Sequence, residues 1–173
     1  EKIIAKIVHK AFSVNREDVA FLIEHKIYPS EKVIYLGGGI NLQKFNPDQF
    51  SQDFVAQKKR ETGIPLSAKV VGIVARLVRE KGFIPLFAAF AKILKQFPDA
   101  ILLVIGPEEP EKRDALDKNI VDKYGIRDKI LFLGERTDVI ELYSLMDVFV
   151  LPSYREGLGL SILEASAMKR PVV

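Results

Sequence analysis

An α/β fold, a parallel sheet with helices on both faces, is predicted by three features of the chain. From about Lys69 onward, short apolar runs alternate with segments of helical periodicity. The runs are continuous and β-branched, the pattern of strands buried on both faces. The turns between them are short, so the strands should join as right-handed βαβ units in a Rossmann-like sheet.

The elements follow in order. Ile3 to Val14 and Val33 to Leu36 read as strands around a helix near Arg16 to His25, and Gln49 to Glu61 as a polar helix. Between them Gly37-Gly38-Gly39 and Phe45-Asn46-Pro47 mark irregular chain, with the three glycines as a hinge or a site of close backbone approach. The G-x-G-x-x-G spacing of a dinucleotide loop is absent there. Lys69 to Ala75 is the first buried strand, and Phe83, Leu86, Phe87, Phe90 and Leu94 then recur at helical spacing. Ala100 to Ile105 is the next strand. A helix marked by Leu116, Ile120, Val121 and Tyr124 follows, with Gly125 as its C-cap. Ile130 to Leu133 is a third strand, Val139, Leu142, Tyr143 and Met146 the inward face of a short helix, and Val148 to Leu151 a fourth strand. A helix spans about Gly159 to Met168, and Pro171-Val172-Val173 opens a fifth strand. An uncovered edge strand would expose apolar surface, so the domain is expected to be incomplete at its C-terminus.

Composition narrows the function classes. The 173 residues are 48% hydrophobic and 28% charged, ordinary for a globular protein. The net charge of +3 does not argue for nucleic acid, though it suits an anionic ligand. There is no cysteine, and His9 and His25 form no ligand pair, so thiolate metal sites are excluded and no metal site is expected. No apolar run reaches the length of a membrane span and no signal peptide is visible, so a cytoplasmic protein is expected. Lys2, Lys6 and Lys10 could instead mark peripheral membrane contact, but the neighbouring Ile3, Ile4, Ile7 and Val8 fit a strand equally well.

Two constellations carry chemistry. Arg155 to Ala165 sets Glu156 and Glu164 eight residues apart around Gly157-Leu158-Gly159, at a strand-to-helix junction. A helix start offers unpaired N–H groups and a positive dipole end to a phosphate. Carboxylates accept from sugar or ribose hydroxyls. Ser161-x-x-Glu164 also fits a capping box, so cap and ligand contact stand as equal readings for Glu164. Glu156 could be a mere exposed turn residue, but its flanking glycines favour close ligand approach. The second constellation, Arg76 to Gly82, lies at the carboxyl end of the first buried strand, where open α/β sheets bind ligands. Arg76 offers a planar fork to phosphate oxygens and Lys81 a point charge, while Arg79 and Glu80 read as a solvated helix start.

Arg76-x4-Lys81-Gly82, the strand ending in Gly106, Phe132-Leu133-Gly134, Tyr143 near Asp147, and Pro152-Ser153-x2-Glu156-Gly157-Leu158-Gly159-x4-Glu164-Ala165 stand in order before Pro171-Val172-Val173. Over residues 30 to 173 this series resembles the nucleotide-binding half of GT-B glycosyltransferases, specifically the large retaining family 4. The resemblance implies one half of a GT-B fold: residues 1–44 as the tail of an acceptor domain plus hinge, and residues 45–173 as a donor domain. It implies a hexosyltransferase that uses a nucleoside-diphosphate sugar as donor, retains anomeric configuration and needs no metal or cofactor. By position, Arg76 and Lys81 would stabilise the departing diphosphate and Glu156 would hydrogen-bond the donor sugar. Gly157, Leu158 and Gly159 would present backbone N–H groups, and Glu164 would bind the ribose. Gly134 and Arg136 would flank the base, while Leu77 and Gly106 line the cleft. The sugar, glycan or lipid-linked acceptor would be held by a domain absent here, so the 173 residues alone are expected to transfer no sugar. Two departures stand out: Gly39-Ile40-Asn41 replaces the usual Gly-Val-Asp, and Arg170 follows Lys169 where a glycine is usual.

The alternatives are a glycoside phosphorylase or sugar-nucleotide epimerase of the same architecture, and a non-catalytic nucleotide-binding module. A hydrolase pairing Glu156 with Glu164 leaves Arg76 and Lys81 unexplained.

Overall fold

The computed structural model describes residues 4–173, apart from the side chains of Ile4 and Lys6. Two compact units emerge: Glu1–Ile40 with Glu156–Leu160, and Asn41–Arg155 with Ser161–Val173.

In the first unit a short helix α1 (Ile4–Ile7) precedes β1 (Ala11–Ser13), α2 (Arg16–Glu24) and β2 (Val33–Tyr35). The strand expected over Ile3 to Val14 is therefore corrected: its described part is a helix followed by a three-residue strand. Lys32 Nζ donates to the carbonyls of Ala5 at 3.2 Å and Val8 at 2.8 Å, satisfying oxygens that the helix end leaves open. Lys2 and Ile3 lie outside the described residues. β1 and β2 pair in parallel, Ala11 opposite Val33, around the α2 crossover. Asn15 caps α2 by accepting from the Glu17 N–H at 2.7 Å.

The second unit carries the sheet. A 3₁₀ turn (Pro47–Gln49) leads into α3 (Gln52–Glu61), whose start is fixed by Ser51 Oγ accepting from the Phe54 N–H. β3 (Val70–Val74), α4 (Phe83–Ile93), β4 (Ile101–Ile105), β5 (Ile130–Phe132), α5 (Val139–Ser144), β6 (Val148–Phe149) and α6 (Leu160–Ala167) follow. The four strands are parallel in the order β5-β4-β3-β6. Val172 bridges to Phe149, so the strand expected from Pro171 begins beside β6.

β4 is buried at every position, and its side chains alternate. Leu102 and Val104 join Phe83, Leu86, Phe87 and Phe90 of α4 on one face. Ile101, Leu103 and Ile105 join Leu142, Tyr143 and Met146 on the other. Gly72 is required on that second face because a Cβ there would fall 2.1 Å from Met146 Sδ.

Two expectations are revised. Lys118–Tyr124 winds as a 3₁₀ helix, tightened between buried Leu116 and Ile126 and closed by Gly125 at φ 64°. The capping box at Ser161 is absent, since α6 begins at Leu160 and Ser161 stands inside the first turn. After α6, Lys169 takes a left-handed conformation at φ 55°, one more often adopted by glycine at a helix end. The Arg170 N–H reaches the Ala165 carbonyl and the Lys169 N–H that of Ser166, a Schellman closure built without glycine.

Candidate functional site

The chain runs β3, β4, β5 outward and then returns to place β6 against the opposite side of β3. The topological switch point therefore lies between β3 and β6, and a ligand crevice is expected outside their carboxyl ends. Arg76, Lys81 and the Pro152–Arg155 segment all emerge there. The Ser153 hydroxyl and the Tyr154 N–H both reach the Glu80 carbonyl, at 3.3 and 2.9 Å, and Lys81 Nζ donates to the Arg155 carbonyl at 3.2 Å. Gly82 sits at φ 76° with its missing Cβ 1.9 Å from the Pro152 oxygen, so only glycine lets the two turns close.

Arg76 is half exposed, its guanidinium held by Glu109 at 2.8 Å and Glu80 at 3.2 Å. Glu80, expected as part of a solvated helix start, pairs with Arg76 and anchors the loop after β6 through its carbonyl. Sequence reasoning missed Glu109 altogether, and it named Ser153 only within the Pro152-Ser153-x2-Glu156 motif. The spacing of Glu80 four residues after Arg76 was an available signal; Glu109, on the loop after β4, left none.

The neighbouring turns complete this edge. The Gly106 N–H donates to the Gly134 carbonyl at 2.8 Å. Gly106 adopts φ 142° with a Cβ position 2.0 Å from the Ala75 oxygen. Leu77 is only 3% exposed, and its side chain packs on the α4 side. Arg136 makes a bidentate pair with Asp138 at 2.8 and 2.7 Å, and Lys58 approaches Asp138 and Glu141, both at 2.6 Å. Arg136 and then Lys58 hold the Asp138 carboxyl well below the usual carboxylate range; Lys58 is in turn raised, first by its hydrogen bond to Asp138.

Glu164, in the second turn of α6, accepts from the Tyr143 hydroxyl at 2.8 Å through Oε2. Tyr143 also reaches the Ser161 carbonyl at 3.3 Å. Burial, followed by the Glu164 charge, pushes the Tyr143 phenol far above its ordinary range, so it remains a donor.

In the first unit, Glu156 is exposed and Gly157 accepts through its carbonyl from Asn15 Nδ2 at 3.1 Å. Leu158 packs on Gly38, where a Cβ would fall 1.8 Å from Leu158 Cδ2. Gly159 takes φ 62°. Glu156, Leu158 and Gly159, with Val14, Gly38, Gly39 and Leu160, line an open groove of about 470 Å³. Among the described residues no helix is long and apolar enough to cross a membrane.

Strand order and the βαβ connections define a parallel α/β unit of the Rossmann-like class. Residues 54–173 match the family model for glycosyl transferases group 1, and the chain belongs to that family. It is 31% identical to the D-inositol 3-phosphate glycosyltransferase of Corynebacterium efficiens, over 91% of this chain and 38% of that protein. It is 30% identical to the UDP-Gal:alpha-D-GlcNAc-diphosphoundecaprenol alpha-1,3-galactosyltransferase of Escherichia coli, over 98% of this chain and 43% of that protein. The chain thus spans about two-fifths of these relatives' length. Among solved structures, HepE of Anabaena in complex with UDP and glucose superposes with a TM-score of 0.83 at 19% identity, covering 99% of this chain and 46% of that one. At that identity the likeness speaks for the fold, which is that of GT-B glycosyltransferases.

Proposed function

We propose that this chain carries the donor-binding part of a retaining glycosyltransferase that takes its sugar from a nucleoside diphosphate. The observation that carries the reading is the pair Arg76 and Lys81 at the switch point between β3 and β6, beside the turn after β6. In this role Arg76 exchanges its carboxylate partners for the diphosphate, and with Lys81 stabilises the negative charge that grows as the sugar leaves. Two side-chain cations supply that charge, so no metal is needed in the reading. Glu156 accepts from donor sugar hydroxyls, Gly157 to Gly159 offer main-chain N–H groups at the start of α6, and Glu164 accepts from the ribose. Gly134 and the Arg136 main chain flank the base, with Gly106 and the Leu77 main chain beside them.

The boundary proposed is an acceptor-side tail and hinge over residues 1–44 and a donor domain over 45–173. Sugar transfer requires an acceptor held against the anomeric carbon, and the 173-residue chain by itself is expected to bind the donor without transferring it. Support for a nucleotide-sugar donor comes from the family and from a relative whose name includes a UDP-sugar. Calorimetry or thermal shift with UDP, GDP, ADP and their common sugars tests it. Binding of one of these nucleotides supports the reading, and no response across the panel contradicts it.

A further inference from the structure

Tyr143 is fully buried, yet its hydroxyl is neither at the surface nor spent on its own helix. Its ring is fixed by Phe149 of β6, 5.8 Å between centroids, and by Phe45, 6.3 Å away and edge-on. Held this way, the hydroxyl crosses from α5 to α6 and donates to Glu164 Oε2 at 2.8 Å, with the Ser161 carbonyl at 3.3 Å. A carboxylate has two acceptor oxygens. Oε2 is taken, and Oε1 has no partner among the described residues. A helical glutamate otherwise samples several rotamers, so a buried donor locking one oxygen fixes where the other points.

We propose that Tyr143 is a positioning residue for nucleotide binding: it locks the Glu164 carboxylate so that Oε1 is presented to the ribose hydroxyls of a ribonucleoside diphosphate. This rests on the ribose role proposed for Glu164. Tyr143 thereby sets the preference for ribose over deoxyribose without touching the nucleotide. Its ring packing on β6 is a separate, structural contribution, and the two separate experimentally. Loss of packing weakens all nucleotides alike, whereas loss of carboxylate orientation weakens only those that carry the hydroxyl.

The test is calorimetry on the 173-residue chain with UDP, GDP and ADP and the 2′-deoxy and 3′-deoxy forms of each. Wild type, Tyr143→Phe, Glu164→Ala and the double variant are compared at a temperature where urea unfolding shows each folded. The readout is the ratio of affinities, ribose form over the deoxy form that binds less well. A hydrogen bond to a charged acceptor corresponds to a wild-type ratio of about ten-fold or more. Tyr143→Phe is expected to lower the ratio by at least about three-fold while the affinity for the deoxy form changes less than two-fold. In the Glu164→Ala background the same change should leave the ratio unaltered, because the oriented group is gone. A ratio lost in Glu164→Ala but kept in Tyr143→Phe overturns the positioning role and leaves the ribose role standing. A ratio kept in Glu164→Ala overturns the ribose role, and the positioning role with it, as does failure of every nucleotide to bind wild type. Should Tyr143→Phe not fold, Tyr143→Leu, which also lacks a donor, replaces it under the same criteria.

Discussion

Replacing Gly82 by alanine is the sharpest test of how the candidate site is assembled. Gly82 lies in the left-handed region at φ 76°, ψ 23°, where a side chain costs roughly 1–2 kcal/mol. The added Cβ would also stand 1.9 Å from the Pro152 oxygen and 2.6 Å from its carbonyl carbon. Those are main-chain atoms, so no rotamer change relieves the contact, and forcing the turns apart costs about 1–3 kcal/mol more. Gly134 is the matched control. It has φ 66° and no heavy atom within 4 Å of its Cβ position, so Gly134→Ala incurs the backbone cost alone. Urea unfolding followed by circular dichroism should place Gly82→Ala below Gly134→Ala by about 1–3 kcal/mol. Gly82→Ala should also weaken nucleoside diphosphate binding, since it displaces the turn after β6. Equal stabilities for the two variants would refute the close packing of the β3 and β6 turns.

Four further outcomes rest on individual contacts. Glu109 occupies the Arg76 guanidinium at 2.8 Å, so Glu109→Gln removes a competing anion and should tighten nucleoside diphosphate binding about two- to ten-fold at low salt; weaker binding by calorimetry would mean that Glu109 orients Arg76 for the ligand. Lys169 holds φ 55° at the end of α6 and pairs with Asp48 only across exposed surface, so Lys169→Gly should raise stability by about 0.5–1 kcal/mol in urea unfolding. The Asp138 carboxyl is depressed in the folded chain, so its contribution is complete above its unfolded value near pH ~4 and is lost as pH falls below that value. Thermal unfolding across pH 2–6 should therefore show a steeper acid loss in wild type than in Asp138→Asn. Lys58, raised in the folded chain, acts in the opposite window: its contribution holds below about pH 10.5 and fades as pH rises beyond it.

Much of the sheet was legible because its strands are buried on both faces. Ile101 to Ile105 has no polar residue to confuse the period, and Phe83, Leu86, Phe87 and Phe90 repeat cleanly along α4. The cations were legible for a related reason: Arg76 follows directly on a buried strand, so it must emerge at the carboxyl edge. What could not be read came from contacts distant in sequence. Lys32 completes α1 from 24 residues beyond Val8, and a local pattern of β-branched residues reads as strand. Glu109 meets Arg76 across 33 residues, through a loop whose path depends on Gly106. Tyr143 reads as one more core residue in its helix, because nothing local reveals where its hydroxyl points. The Schellman closure after α6 was hidden because Lys169, not glycine, takes the left-handed position.

Arg76 and Lys81 at the switch point are proposed to hold a diphosphate. Calorimetry of wild type, Arg76→Ala and Lys81→Ala with UDP, GDP and ADP and the matching monophosphates tests it most directly. One nucleoside should bind about ten-fold or more tightly as its diphosphate than as its monophosphate. Arg76→Ala should remove most of that preference, with Lys81→Ala reducing it. Absence of binding by any of these nucleotides, or a diphosphate preference unchanged in Arg76→Ala, would contradict that role.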